Sequence, residues 1–208
     1  MSCGERIAWY DNVPVVSWVL LRGRCRHCKA AIPWVYPGIE VVTAALVAGC
    51  VLAFGVTWDA LLASFFCAVL VVISAIDLEH KIIPNRIVMP AFGVVLAAQT
   101  LLHPSPEWAL AAFGACAFLL VAAIVYPAGM GMGDVKLALL LGAMLGRIVP
   151  VGLMLGMLLA LVPSIVLLAR HGAAARKMGF PFGPFLALGA ILALFWGDRL
   201  LEAYLSLL

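Results

Sequence analysis

Two aspartates in this chain stand at the ends of apolar runs, where membrane packing gives no reason for a charge. Asp77 closes the run at 60–76, and Asp134 follows Gly131-Met132-Gly133 and opens another. An ionised carboxylate at membrane depth costs on the order of 2.5 to 3.5 kcal/mol, so its presence indicates function. Two such residues indicate proton chemistry.

Brought close together, two carboxylates cannot both ionise cheaply, and the pair shares a proton. Such a pair acts as general base on a water and as general acid on a leaving amine, which is aspartic protease chemistry. Gly131 and Gly133 favour it, because residues without Cβ let an extended substrate approach the backbone. The alternative for each aspartate alone is structural, with Asp134 capping a helix and Asp77 capping a turn with Lys81.

Composition defines the class of protein that must position these groups. Of 208 residues, 66% are hydrophobic and only 11% charged, and the mean hydropathy is +1.16, whereas about 25% of residues are charged in soluble domains. This predicts an all-α integral membrane protein, a polytopic helical bundle in the lipid bilayer. The net charge of +3 is too small to indicate a nucleic-acid partner. We expect a polar N-terminal segment at 1–37 and a transmembrane domain at 38–208.

About seven membrane spans are predicted, since about 20 residues of helix cross the hydrocarbon core. The 33-residue apolar run at 137–169 is too long for one span, and we divide it at Arg147 and Pro150. The predicted helices lie at 38–56, 60–77, 87–102, 108–126, 134–149, 151–169 and 184–205.

The basic residues predict the orientation, because short cytoplasmic loops hold an excess of Lys and Arg. With the N-terminal segment in the cytoplasm, 11 of the 13 basic residues fall on that side, and only Arg147 and Arg199 lie outside. Asp77 and Asp134 then both lie at the cytoplasmic face, where the topology can bring them into contact.

The N-terminal segment contains a cysteine pattern typical of zinc sites. Cys25 and Cys28 have the two-residue spacing that turns both thiolates towards one metal, and Cys3 precedes Cys25 by 22 positions. A reducing cytoplasm favours thiolate ligands over disulfides. The alternative is three free surface thiols.

Five motifs resemble those of one known family, in its order and over nearly the whole chain. The chain is similar to the type IV prepilin peptidases, which belong to the Gly-x-Gly-Asp intramembrane aspartyl proteases that include presenilin. It departs from them at Asn85, where the family usually has aspartate. The motifs lie at 9–17, 21–28, 36–40, 76–77 with 83–84, and 131–136.

The resemblance implies that Asp77 and Asp134 form the catalytic pair of a prepilin peptidase. Members cleave the basic leader from prepilins and pseudopilins at the cytoplasmic face of the bacterial inner membrane, typically after a glycine. We expect substrate contacts from Gly131 and Gly133, from Glu79 at the rim, and from Lys136. Lys136 has two open roles: it pairs with Asp134, or it extends to the membrane surface.

Many members of that family also methylate the new N terminus with S-adenosylmethionine. On resemblance alone, the candidates for methyl transfer are Tyr10, Asp11, Asn12 and Glu40, whose alternative role is structural. The family also has a second cysteine pair and an eighth helix near its N terminus. The chain is therefore expected to be N-terminally truncated, with an incomplete Zn²⁺ site at Cys3, Cys25 and Cys28.

A different class of function remains as the alternative: a small transporter that uses the two aspartates to relay protons or bind a cation. Transporters often have internal repeats and helices broken at the bilayer midplane. No repeat is visible in this chain, and both acids lie at one face. The sequence therefore favours the peptidase.

Overall fold

The structure, a computed structural model, describes residues 4–126, 130–172 and 180–206. It is a helical bundle, as predicted, preceded by a small N-terminal segment. The seven predicted spans correspond to α2–α8. The helices are α1 (Val16–Leu20), α2 (Val35–Phe54), α3 (Trp58–His80), α4 (Asn85–Leu102), α5 (Glu107–Val125), α6 (Met132–Leu145), α7 (Val149–His171) and α8 (Gly183–Leu205).

Six segments of the described chain are long and apolar enough to cross a membrane, and one of them, Met132–Arg170, contains both α6 and α7. The break between these helices lies at Gly146, whose φ of +53° is unfavourable for residues with a Cβ. The break was predicted at Arg147 and Pro150, next to its observed position. Pro150 instead lies in the first turn of α7, where its missing N–H has no helical partner to lose.

Helix α6 is the centre of the bundle, and nearly all of its residues after Gly133 are buried. It packs against α5 with direct backbone contact at Gly142. A Cβ at Gly142 would lie only 2.4 Å from the carbonyl oxygen of Ala111. Small residues of this kind let membrane helices approach closely.

Helices α7 and α8 form a second close pair through their glycines. A Cβ at Gly189 would lie 2.3 Å from the backbone nitrogen of Gly156, and one at Gly156 would lie 3.0 Å from the Cα of Leu186. Gly152 in turn faces Ala190 and Ala193. The contacts run in opposite directions along the two helices, so α7 and α8 are antiparallel.

The chain reverses at Gly146, and charged residues mark that end of the bundle. The Arg147 backbone N–H donates to Glu107 Oε1 at 2.7 Å, and its guanidinium pairs with Asp198 at 2.9 Å. His103 and Asp59 form a second pair, with 2.8 Å between Nε2 and Oδ1. We call this the Arg147 end, and the opposite end, which carries Asp77 and Asp134, the aspartate end.

The N-terminal segment folds against the start of α2. Trp18 Nε1 donates to the carbonyl of Ile32 at 3.0 Å, and Arg24 pairs with Ala31 in a short antiparallel bridge. Glu40 Oε2 accepts the backbone N–H of Val15 at 2.7 Å. The segment is therefore attached to the bundle through α2.

Candidate active site

Asp77 lies three residues before the end of α3, with only 4% of its surface exposed. Its Oδ2 accepts the backbone N–H of Gly183, the first residue of α8, at 3.0 Å. A Cβ at Gly183 would lie 2.8 Å from that oxygen. The close approach of α8 to Asp77 therefore requires glycine at this position.

Asp134 is the third residue of α6 and is 7% exposed. Its Oδ2 reaches back to the backbone N–H of Gly131 at 3.2 Å, as acidic residues at the third helical position often do. Its Oδ1 is buried and has no hydrogen-bond partner among the described residues. A buried oxygen without a partner costs about 1 to 3 kcal/mol.

Ile83 lies beside two glycines, one next to Asp134 and one that binds Asp77. A Cβ at Gly133 would lie 2.9 Å from Ile83 Cβ, and one at Gly183 would lie 3.1 Å from Ile83 Cδ1. The glycine next to Asp134 and the glycine that binds Asp77 thus pack on the same side chain.

The pair lies well short of the far end of α7. Asp134 precedes Arg147 by 13 residues, about 20 Å of helix at 1.5 Å per residue. Helix α7 starts at the same end and continues for 23 residues, about 34 Å. Counted from the Arg147 end, the carboxylates thus lie about 14 Å short of the far end of α7.

The remaining predicted substrate contacts differ in their surroundings. Gly131 and Gly133 adjoin Asp134, as predicted from the motif. Lys136 does not bind Asp134 in this structure: its Nζ donates to Asn85 Oδ1 at 3.0 Å, which links the starts of α6 and α4. Glu79 has a side chain 78% exposed at the end of α3, with Oε2 4.0 Å from His80 Nε2.

The predicted zinc ligands lie in a tight turn of the N-terminal segment, except for Cys3, which is outside the described residues. The Cys25 N–H donates to Ala30 at 2.9 Å, and the Lys29 N–H donates to Cys25 at 3.1 Å. Cys25 is partly buried and Cys28 is exposed. Within the described ranges, no group of three or more His, Cys, Asp or Glu could hold a metal. Two thiolates are half of a tetrahedral zinc site.

The candidates for methyl transfer form part of the same folded segment. Arg26 binds both oxygens of Asp11, at 2.6 and 2.7 Å, and its guanidinium lies 5.3 Å from the centre of the Tyr10 ring. This hydrogen bonding holds the pKa of Asp11 below its usual value. Glu40 holds Val15, whose φ of +61° is unfavourable for a β-branched residue. Asp11 and Glu40 therefore have structural partners, and Asn12 is exposed.

Gly183 is the site residue that the sequence analysis missed. It belongs to the run Phe180-Pro181-Phe182-Gly183-Pro184, in which proline and glycine alternate with aromatic residues before the last helix. Such a run marks a chain reversal. No local pattern shows that one of its N–H groups binds a carboxylate 106 residues earlier.

Fold and site together define a polytopic helical protein with two buried aspartates near one end of its bundle. Residues 1–54 match the bacterial peptidase A24 N-terminal domain, and residues 64–168 match the type IV leader peptidase family. The chain belongs to the type IV leader peptidase family, and the resemblance drawn from its motifs is confirmed. It is thus a peptidase, a multi-pass protein of the bacterial inner membrane.

Relatives from distant bacteria match nearly the whole chain, and each is named prepilin leader peptidase/N-methyltransferase. The Pseudomonas aeruginosa protein is 36% identical over 98% of this chain and 73% of its own length. The Xanthomonas campestris protein is 34% identical over 97% of this chain and 73% of its own length. The Bacillus subtilis protein is 31% identical over 99% of this chain and 84% of its own length. No solved structure matches the chain. The transporter alternative has no support from the family or these relatives.

Proposed function

We propose that this protein is an intramembrane aspartyl endopeptidase that removes the leader from type IV prepilins or pseudopilins, with Asp77 and Asp134 as its catalytic pair. One observation carries the assignment: two buried carboxylates, from α3 and α6, lie together at one end of the bundle, each held by a glycine N–H. The relatives' names supply the substrate class.

The hydrogen bonds support different roles for the carboxylate oxygens. Gly131 and Gly183 each donate to an Oδ2, which fixes the carboxylates and leaves Asp134 Oδ1 available to a water or to a shared proton. The pair shares one proton, so one member is a base and the other an acid. The base takes a proton from the water as the water oxygen attacks the scissile carbonyl. The acid protonates the leaving nitrogen as the C–N bond breaks.

The substrate reaches the pair past residues that allow a close approach. Gly131 is exposed and Gly133 is partly exposed, and neither has a side chain to keep an extended peptide away. Glu79 is an exposed acid two residues beyond Asp77, suited to the positive charges of a leader. Lys136 completes the proposed substrate contacts at the start of α6.

We propose that the aspartate end faces the cytoplasm. Eleven of the 13 basic residues lie on that side in the seven-span topology, and Arg147 at the opposite end supports the division. The basic leader of a prepilin would then remain in the cytoplasm while its apolar segment stays in the bilayer.

A second activity, methylation of the newly formed amine, is proposed from the relatives' names. S-adenosylmethionine would supply the methyl group. The proposed residues remain Tyr10, Asp11, Asn12 and Glu40. Asp11 and Glu40 would act by holding the fold of the segment, because their carboxylates already bind Arg26 and the backbone N–H of Val15. Zinc at Cys3, Cys25 and Cys28 remains a prediction that would stabilise the same segment.

The test is cleavage of a prepilin in detergent or liposomes by Asp77→Asn and Asp134→Asn, with Asp59→Asn as the matched control. Asp59 is a half-exposed acid at the Arg147 end. Loss of a general acid or base costs about 10² to 10⁴-fold, so each catalytic variant should fall by at least about 100-fold. The control should retain wild-type activity. Cleavage within tenfold of wild type in either catalytic variant, with unchanged melting, would remove the carboxylate-pair mechanism.

A further inference from the structure

A large groove separates α5 from α7 on the outside of the bundle. Its volume is about 950 Å³, and its walls are apolar except where Ser105, Glu107 and Arg147 line it at the Arg147 end. Gly114 lies in its α5 wall, and Phe118 and Leu158 lie nearest the aspartate end.

The groove ends at the depth of the two aspartates. Gly142 of α6 is opposite Ala111 and Ala112 of the antiparallel α5. Asp134 lies eight residues before Gly142 and is therefore level with the turn of α5 that contains Phe118.

The α7 wall independently indicates that the groove ends at the depth of the aspartates. Gly156 is opposite Leu186 of α8. Leu158, two residues further along α7, is therefore level with the start of α8 at Gly183, which binds Asp77. Both walls thus run from the depth of the carboxylate pair to the Arg147 end.

The dimensions fit a helix. Glu107 and Phe118 are 11 residues apart, which is about 16 Å of groove. Ten residues of α-helix with a diameter of about 10 Å fill on the order of 1,200 Å³. A groove of about 950 Å³ therefore accommodates most of the width of one helix.

We propose that this groove binds the apolar helix that follows the scissile bond of the substrate. The inference rests on the proposed function and locates its membrane-embedded substrate. A peptide cut at the aspartates would continue towards the Arg147 end at the depth of the groove, for about ten residues. The groove would then select substrates by the apolar segment after the cut, separately from the leader before it.

Two glycines give a matched test. A Cβ at Gly114, in the groove, and one at Gly93, in α4 away from it, both meet nothing within 4 Å. Gly114→Phe should therefore fill the groove without disturbing the bundle, and Gly93→Phe is the control. The substrates are a full-length prepilin and a peptide that ends about five residues after the scissile bond.

Gly114→Phe should lower kcat/KM at least tenfold for the full-length prepilin, mainly through KM, and leave cleavage of the short peptide unchanged. Gly93→Phe should change neither. Equal effects of Gly114→Phe on both substrates, or full-length cleavage equal to that of Gly93→Phe, would overturn the inference. A wild-type protein that cleaves neither substrate would instead refute the proposed function.

Cross-linking tests what occupies the groove and does not require catalysis. A photoactivatable phenylalanine analogue at Leu158, in the groove, is compared with one at Leu188, an exposed residue of α8 outside it. In an Asp77→Asn background, prepilin should form an adduct at Leu158 at least five times more often than at Leu188. Equal peptide adducts at both positions, or lipid adducts alone at Leu158, would overturn the inference.

Discussion

Gly183→Ala tests the contact that positions Asp77. The new Cβ would lie 2.8 Å from Asp77 Oδ2 and 3.1 Å from Ile83 Cδ1. Neither neighbour is the far end of a long flexible side chain, so the carboxylate or the start of α8 must move. The 3.0 Å hydrogen bond from the Gly183 N–H to Asp77 then lengthens or breaks. A hydrogen bond to a charged group contributes about 1.5 to 3 kcal/mol.

If that interaction acts on the reacting carboxylate, its loss lowers kcat by about 10 to 150-fold, since about 1.4 kcal/mol corresponds to a factor of ten. KM should change less than threefold, because Gly183 acts through Asp77 rather than through the substrate. Gly93→Ala, whose Cβ meets open space, is the control and should retain wild-type kinetics.

The assay is leader cleavage at several prepilin concentrations, with thermal melting of each variant in the same detergent. Gly183→Ala with melting unchanged and kcat within twofold of wild type would refute the role of the contact. A variant with both lower melting and lower kcat is compared at a temperature at which it is fully folded.

Three further outcomes are expected from the packing and charges of the molecule. Gly142→Ala should lower the free energy of unfolding by at least about 1 to 3 kcal/mol, seen as a lower melting temperature, because its Cβ overlaps the backbone of α5. Asn85→Asp should convert the hydrogen bond from Lys136 into an ion pair and stabilise the protein by less than about 1 kcal/mol. A lower melting temperature would contradict that pairing. Arg26 lowers the pKa of Asp11 in the folded state, so the stabilisation is complete above the unfolded pKa and is lost as the pH falls through the folded one. Limited proteolysis of the N-terminal segment should accelerate from about pH 5 to about pH 2, and Asp11→Asn should remove this dependence.

The helices were predictable because apolar runs in this chain have the length that a bilayer requires. Every predicted span has its helix in the structure, displaced by a few residues at most. The exact turn between α6 and α7 was not predictable from proline, since Pro150 fits within a first helical turn. The residue that reverses the chain is Gly146, which has a positive φ and lies where a Cβ would overlap Glu107 and Trp108.

The aspartates were predictable for energetic reasons, since a charge in an apolar helix must have a compensating role. The partner of Lys136 was not, because its position two residues after Asp134 allowed either a carboxylate or the membrane surface. Asn85 became its partner only through the packing of α4 on α6. Gly183 lies 106 residues from Asp77, and sequence spacing carries no information on such a contact.

Ile83 has a consequence for how such enzymes diverge. A Cβ at Gly133 and one at Gly183 would both meet this side chain. We therefore expect a larger residue at any of the three positions to shift the surroundings of both carboxylates. Substitutions at positions 83, 133 and 183 should therefore be non-additive. Over evolutionary time, a bulkier residue at one of these positions should be found with a smaller one at another, so the three positions should covary among relatives.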